Sequence, residues 1–333
     1  MEKIILNLAE KEGISDIHIS SGKPIAVRIN GVIETQKDLI VKKEDISKFI
    51  KSNIKKESEK ILENEKSIDF SLSLKNFRLR GNAFYSQDGL NVVLRILSEN
   101  ILSFEEINFP PVVEQVMESQ NGLILVTGQT GSGKSTSLAS IIDYFNQNHQ
   151  KKIITIEDPI EFIHNEKNSI ISQREIGTHA LSFSSALRAA LREDPDIILV
   201  GELRDLETIQ LALTAAETGH LVLATLHTSG APNTINRIID VFPGDQQSQV
   251  RSQLATSLKI AVTQRLIKRL DGSGRVPAFE VMVNNAAVQN LIREEKIFQI
   301  PTIMQTGVSE GMVLMDKSIE HLKADGIIDY DIS

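Results

Sequence analysis

Four short apolar runs separated by stretches of helical spacing constrain the fold of this chain more than any other feature. Continuous apolar strands that alternate with helices are typical of a parallel sheet covered by helices on both faces. The sequence therefore predicts an α/β fold with a mainly parallel sheet after residue 112. The four runs are Leu123–Thr127, Ile153–Glu157, Ile197–Glu202 and Leu221–Leu226.

Polar residues mark the end of every one of these runs. A glycine-rich loop begins at residue 128, Glu157 and Glu202 end the second and third runs, and His227 follows the fourth. In an open parallel sheet, ligands bind beyond the carboxyl ends of the strands. We therefore predict that these polar residues form a single site.

The loop after the first run fits the phosphate-loop pattern completely. Its glycines let backbone N–H groups point at phosphates, and the helix that follows adds its positive N-terminal end. We predict binding of a nucleoside triphosphate, with Lys134 on the β- and γ-phosphates and Ser135 on Mg²⁺. The predicted binding residues are Gly128, Gln129, Thr130, Gly131, Ser132, Gly133, Lys134, Ser135 and Thr136.

Two acidic segments are candidates for metal binding and for general-base catalysis. Glu202 ends a strand that resembles a Walker B strand, where a carboxylate can hold the Mg²⁺ shell or orient water. Glu157 and Glu161 flank a proline that would kink the chain and aim Glu161 at the γ-phosphate as a general base. An exposed strand end is the alternative for Glu202, and a solvated acidic loop is the alternative for Glu161.

Histidine and arginine side chains supply further candidates. His220 and His227 bracket the fourth run, and their spacing of seven fits no common metal pair. For His227 we predict contact with the γ-phosphate or a subunit interface; a buried structural imidazole is the alternative for both. Arg78, Arg80 and Arg95 lie on predicted strands, where they are either solvated or, in an oligomer, arginine fingers for a neighbour's nucleotide.

Residues 1–98 are predicted to form a separate, smaller α/β domain with alternating strands and an amphipathic helical region over residues 42–65. Pro110–Pro111 predicts a linker over residues 99–112, since consecutive prolines stop helices and sheet ladders. Residues 113–333 form the second predicted domain. Its Ala287–Glu294 segment is either a partner-binding helix or, through Leu291 and Ile292, part of the core.

Composition excludes several classes of protein. The chain has no cysteine, so disulfides, thiolate zinc sites and thiol catalysis are ruled out. A net charge of −8 disfavours a nucleic-acid partner. No apolar run approaches the roughly 18 residues of a membrane helix, and the first residues do not fit a signal peptide. We expect a cytoplasmic protein without direct membrane insertion.

Taken together, these segments resemble the PilT-type retraction ATPases of type IV pili, in the superfamily of secretion ATPases related to GspE. The resemblance implies an N-terminal PAS-like domain, a C-terminal RecA-like domain and a homo-hexamer with ATP held between adjacent subunits. The segments that carry it are SDIHISSGKPIAVRINGVI, GQTGSGKST, ITIEDPIEF, REDPDIILVGELRD and ETGHLVLATLHTSGAPNTINRIIDVFP.

The resemblance also implies residue roles. Ser135 and Glu202 hold Mg²⁺, Glu161 is the catalytic base, and Arg80 and Arg95 act on a neighbour's ATP. Glu157 and His220 join the nucleotide site. The residues implied to be catalytic are Glu161, Glu202, Lys134, His227, Arg80 and Arg95.

The absence of cysteine favours retraction, because pilus extension and type II secretion ATPases of this superfamily usually carry a tetracysteine zinc module. Ala287–Glu294 resembles the retraction family's partner motif, although Gln289 replaces an arginine there. The implied partners are an inner-membrane pilus platform protein and, as a further candidate, a second retraction or extension ATPase. The alternatives are an extension or type II secretion ATPase, an accessory retraction subunit and, disfavoured by the acidic charge balance, a RecA-type DNA translocase.

Overall fold

The chain divides into two compact units. A computed structural model describes residues 1–11, 13–29, 32–54, 56–75, 77–97 and 100–332. The first unit comprises Met1–Asn100 with Glu161–Ile163, and the second comprises Ile101–Ile160 with the chain from His164 onward. The predicted boundary between residues 98 and 99 lies outside the described residues, so the predicted domain limits stay a prediction.

The first unit is an antiparallel sheet covered by helices on one face. Its strands lie in the order β3-β2-β1-β6-β5-β4. Alternate side chains such as Ile17, Ile19 and Leu79 are buried against the helices, because successive residues of a strand point to opposite faces. The elements are α1 (Glu2–Ala9), β1 (Ile14–Ser20), β2 (Pro24–Ile29), β3 (Val32–Ile40), α2 (Lys43–Asn53), α3 (Lys56–Glu65), β4 (Ser67–Leu74), β5 (Phe77–Ser86) and β6 (Gly89–Leu97).

The second unit alternates strands and helices. Up to the fourth parallel strand it contains α4 (Pro111–Met117), β7 (Gly122–Thr127), α5 (Lys134–Asn148), β8 (Lys152–Glu157), β9 (Ile170–Glu175), α6 (Phe183–Ala190), β10 (Ile197–Val200), α7 (Leu206–Glu217) and β11 (Leu221–Leu226). It continues with α8 (Ala231–Asp240), α9 (Gln247–Ser257), β12 (Leu258–Lys268), β13 (Arg275–Val283), α10 (Ala286–Arg293), α11 (Ile300–Thr306) and α12 (Met315–Ala324).

The sheet of the second unit has the order β13-β12-β7-β11-β10-β8-β9. All neighbours are parallel except β12 and β13, which form an antiparallel hairpin. The four predicted apolar runs form the strands β7, β8, β10 and β11. The predicted α/β fold class is confirmed. β10 ends at Val200, so Glu202 stands on the loop that follows the strand and not on the strand itself.

Burial on both faces explains why the central strands are continuously apolar. All six residues of β7 are buried. Ile124 and Val126 pack in the same cluster as side chains of α5, whereas Leu123 and Leu125 pack in a cluster that includes α6 to α9. In α10, Leu291 and Ile292 are buried in that second cluster, as the core alternative predicted.

The later part of the segment predicted to be a linker belongs to the second unit and packs into its core. Ile107 and Phe109 are buried in the cluster that contains α5. Pro111 begins α4, because the fixed φ of proline suits the first helical position. The proline pair therefore starts a helix here. No helix within the described residues is both long enough and apolar enough to cross a membrane.

Candidate active site

The loop between β7 and α5 has a backbone that only glycine can adopt at two positions. Gly128 and Gly133 have φ of 142° and 92°. A Cβ on Gly128 would lie 2.5 Å from the carbonyl oxygen of Gln264, and one on Gly133 would lie 2.7 Å from Gln264 Nε2. Gln264 on β12 also accepts a 2.8 Å hydrogen bond from Ser137 Oγ of α5. The motif glycines therefore let the loop pack closely on the neighbouring strand.

Lys134 places its ammonium group at the mouth of this loop. The side chain is buried, and Nζ donates to the carbonyl oxygens of Gly128 at 2.8 Å and Gln129 at 3.1 Å. Within the described part of the chain, the buried Ser132 Oγ has no hydrogen-bond partner and no side chain caps α5. A buried cation, an unpartnered hydroxyl and a helix N-terminus fit an anionic group such as a phosphate.

A chain of polar contacts links Lys134 to Glu202 through His227. Lys134 Nζ lies 3.4 Å from His227 Nδ1, and His227 Nε2 lies 3.4 Å from Glu202 Oε1. The neutral Nε2–H tautomer suits both contacts, since Nδ1 then accepts and Nε2 donates. Glu202 Oε2 in turn accepts a 2.7 Å hydrogen bond from Arg204 Nε. The structure thus brings together residues that follow β7, β11 and β10.

Ser135 and Glu202 have the chemistry that Mg²⁺ requires. Ser135 lies half-buried in the first turn of α5, beside Thr136, and its hydroxyl makes no hydrogen bond to any residue that the structure describes. Glu202 is mostly buried and presents a carboxylate. Hydroxyl and carboxylate oxygens are the ligands that Mg²⁺ prefers, and it takes its remaining ligands from water and substrate phosphates. The two residues therefore fit a magnesium site completed by a nucleotide.

The acidic segment after β8 is held by β9. Glu157 Oε1 accepts hydrogen bonds from Thr155 Oγ1 at 2.7 Å and Gln173 Nε2 at 3.3 Å. The backbone N–H of Ile160 donates to the buried Glu175 Oε2 at 3.1 Å. Glu175 therefore anchors the residue that precedes Glu161, a function that no sequence motif indicated. Glu161 itself belongs to the first unit, and its predicted role stays a prediction.

His220 lies at the amino end of β11, whereas His227 follows its carboxyl end. It directly precedes β11, where its Nδ1 lies 3.1 Å from the carbonyl oxygen of Ala215. A strand rises about 3.3 Å per residue, so β11 separates the two histidines by roughly 20 Å. Within one chain, His220 therefore does not join Lys134 and Glu202, contrary to the expectation of a shared nucleotide site. Motif spacing alone could not reveal which edge each histidine occupies.

Four charged residues form a row across the sheet of the first unit. Asp16 pairs in register with Arg28 and Arg95, and Arg95 pairs with Arg80. Asp16 Oδ1 accepts a 2.8 Å hydrogen bond from Arg95 Nε. Burial raises the pKa of Asp16, but hydrogen bonds from Arg95 and Ser15 outweigh it and hold this pKa below its usual value. The carboxylate is therefore a stable anchor for Arg95.

Arg80 differs from the two other candidate arginines. Arg95 is anchored by Asp16, and Arg78 Nη1 donates to Ser73 Oγ at 3.2 Å. Arg80 is exposed and, among the residues that the structure describes, has no ion pair or side-chain hydrogen bond. Like charges opposite each other on neighbouring strands repel, and the pairing of Arg95 with Asp16 offsets this repulsion beside Arg80. Of these three arginines, Arg80 is therefore the one whose guanidinium no described residue holds.

Comparisons with known proteins agree with these observations. Residues 1–313 match the family described as type II/IV secretion system protein. The chain is 50% identical to a twitching motility protein of Neisseria gonorrhoeae, over 86% of this chain and 76% of that protein. It is 45% identical to the type IV pilus retraction ATPase PilT of Pseudomonas aeruginosa, over 97% of this chain and 94% of PilT.

A solved structure is similar over the whole length. The crystal structure of the pilus retraction motor PilT with bound ADP is 46% identical to this chain and has a TM-score of 0.91. The match covers 98% of this chain and 94% of the other. The resemblance predicted from the motifs is confirmed, and the chain belongs to the type II/IV secretion system protein family and, within it, to the PilT-type ATPases.

Proposed function

We propose that this chain is a P-loop ATPase that powers the retraction of type IV pili. The observation that carries the proposal is the contact chain from Lys134 through His227 to Glu202, which joins a phosphate-binding loop to a carboxylate. Relatives that match nearly the whole chain are named for pilus retraction, and one was solved with ADP. ATP is therefore the proposed substrate, and pilin depolymerisation and twitching motility are the proposed outcome.

The proposed mechanism is in-line attack of water on the γ-phosphate. The loop from Gly128 to Thr136 holds the phosphates, and the buried Lys134 ammonium neutralises their charge. Ser135 and Glu202 would hold Mg²⁺, which would supply positive charge to the phosphates. Glu161 takes a proton from the attacking water as a general base. His227 senses the γ-phosphate because it lies between Lys134 and Glu202.

The proposed assembly is a homo-hexamer on the cytoplasmic face of the inner membrane. ATP lies between adjacent subunits, and Arg80, aided by Arg95, acts on the nucleotide of a neighbour. No described residue forms an ion pair or side-chain hydrogen bond with Arg80, and this supports the arrangement because an arginine that acts in trans must be accessible to the neighbouring subunit. The hexamer would work against an inner-membrane platform protein, and a second retraction or extension ATPase is a further candidate partner.

Mixing two inactive variants tests the action of Arg80 in trans. Arg80→Ala and Lys134→Ala subunits should each hydrolyse ATP poorly, since an arginine finger contributes about 10³–10⁵ in rate. Mixed rings contain interfaces with an intact loop on one side and an intact Arg80 on the other. We expect partial recovery of phosphate release in the mixture. The matched control is Arg192→Ala, an exposed arginine of the second unit that should leave the rate of unmixed rings near normal.

The proposed action of Arg80 in trans is wrong if no mixing ratio restores phosphate release. This result counts only when size-exclusion chromatography shows that mixed hexamers have formed. The loop assignment would survive that result, since Lys134 is tested by its own variant. A monomeric chain with full activity would contradict the shared site altogether.

A further inference from the structure

The last residues of β11 contact the strands on both sides, at the edge of the sheet where the candidate active site lies. On one side β11 pairs with β7, and the carbonyl oxygen of Leu226 accepts a 3.3 Å hydrogen bond from the N–H of Gly128, the first residue of the phosphate loop. On the other side β11 pairs with β10 over the whole length of that strand. The loop that carries Glu202 therefore leaves β10 beside Thr225 of β11.

Thr225 holds the residues on both sides of Glu202. Its Oγ1 donates a 2.5 Å hydrogen bond to the carbonyl oxygen of Gly201. Its own carbonyl oxygen accepts a 3.0 Å hydrogen bond from the N–H of Leu203. Thr225 and Leu203 are each only 4% exposed, so water competes little for these bonds. One residue of the neighbouring strand thus fixes the backbone immediately before and immediately after Glu202.

Gly201 is also held from the side of β8. Its N–H donates a 2.8 Å hydrogen bond to the carbonyl oxygen of Ile156, and a Cβ on Gly201 would lie 3.1 Å from the same oxygen. β10 lies between β8 and β11, so Ile156 and Thr225 hold Gly201 from opposite sides. The hydroxyl of Thr225 is the side-chain part of this arrangement, and a substitution can remove it without changing the backbone bonds.

We propose that Thr225 is a positioning residue for ATP hydrolysis, because its hydroxyl fixes the Glu202 loop at a set distance from the phosphate loop. The inference rests on the proposed function. Thr225 holds the Glu202 loop, and the next residue, Leu226, holds the phosphate loop. His227 follows and contacts both Lys134 and Glu202. Since one strand end sets the distance between loop and carboxylate, a loosened Glu202 loop changes that distance. A displacement of about 1 Å can cost a catalytic group much of its effect.

Replacing Thr225 by valine tests the role of the hydroxyl in the full chain. Valine has the shape of threonine but cannot donate a hydrogen bond to Gly201. We expect kcat for phosphate release to fall about tenfold or more, as the misplacement of a catalytic group predicts. Equilibrium binding of ATP with Mg²⁺ should stay unchanged, because Lys134 and the phosphate loop are intact. Thr225→Ser restores the donor and should recover most of the rate.

Hydrogen exchange reports the hold on the Glu202 loop independently of activity. In Thr225→Val the loop keeps its backbone bond at Leu203 but loses the side-chain bond at Gly201. We expect the amide of Leu203 to exchange faster in this variant than in the unaltered chain, because local opening needs fewer bonds to break. Amides of α8 should keep their exchange rates.

Thr234→Val is the matched control. Thr234 is fully buried in α8, and its hydroxyl likewise donates to a backbone carbonyl oxygen, that of Gly230 at 2.9 Å. It is not part of the contact chain from Lys134 to Glu202. The control should keep nearly the full rate, so the difference between the two variants reports the place of the lost hydroxyl.

Four results would overturn the inference. They are a full rate in Thr225→Val, an equal fall in rate in Thr234→Val, weakening of ATP binding in proportion to the fall in rate, and no recovery in Thr225→Ser. Glu202→Gln separates these results from failure of the proposed function. If Glu202→Gln loses turnover while Thr225→Val keeps it, only the role of Thr225 is wrong. If Glu202→Gln keeps full turnover, the proposed role of Glu202 is wrong, and the role of Thr225 is wrong with it.

Discussion

Replacing Lys134 by alanine is expected to lower the ATPase rate of the purified chain by about a hundredfold or more. Removal of a single preorganised donor from a developing anionic charge costs this much in other enzymes. Lys134 is only 8% exposed, so little water can take the place of its side chain. Its contacts with the loop carbonyls and His227 would be lost at the same time. The measurement is steady-state phosphate release.

Lys151→Ala is the matched control for this variant. Lys151 lies just before β8, at the amino end of the strand and away from the phosphate loop. Its Nζ is 3.5 Å from Asp196 Oδ1. It is partly exposed, and an exposed ion pair contributes little to stability. The control should keep nearly the full rate. A Lys134→Ala protein with the rate of the control would show that the loop is not the hydrolytic site.

Replacing Glu202 by glutamine is expected to abolish turnover while nucleotide binding persists. The amide keeps the shape of the side chain and can still accept from Arg204, but it lacks the negative charge that is proposed to hold Mg²⁺. We expect phosphate release to fall by about a hundredfold or more, since charge stabilisation in the transition state would be lost. ATP binding should change far less, because Lys134 and the loop backbone remain. The measurements are phosphate release and equilibrium binding on the same preparation.

Glu207→Gln tests whether any loss is specific to Glu202. Glu207 lies in the first turn of α7, exposed and paired with Arg188. It carries the same charge a few residues away, but it is not part of the contact chain through His227. Its rate should stay near that of the unaltered chain. Normal turnover by Glu202→Gln would remove Glu202 from the mechanism.

The centre of the second sheet could be predicted because its strands are buried on both faces. β7, β8, β10 and β11 read as continuous apolar runs for that reason. The strands β9, β12 and β13 were not predicted. β9 lies at the edge of the sheet and is only partly buried. β12 follows α9 without an intervening turn, so no local signal marks its beginning.

The site was predictable where its residues follow parallel strands. Lys134, Glu202 and His227 meet because β7, β10 and β11 run in the same direction and end at one edge. Gln264 belongs to the same region only because β12 pairs with β7, which is a tertiary contact that no motif encodes.

The surroundings of the arginines in the first unit also could not be predicted, because they too depend on tertiary pairing. Arg80 and Arg95 are equivalent in the sequence, since both lie on alternating strands. Only the register of β1 with β6 shows that Asp16 anchors Arg95 and not Arg80. Choosing between Arg80 and Arg95 as the unanchored arginine therefore requires the pairing of β1, β5 and β6, which the sequence alone does not show.

The number of surface pili tests the central claim of this account most directly. We would count pili by electron microscopy in cells whose only copy of the chain carries Lys134→Ala. A retraction motor without ATP hydrolysis leaves assembled pili in place, so the account predicts excess pili and no surface movement. Cells without pili would contradict it, because the motor would then build pili rather than retract them.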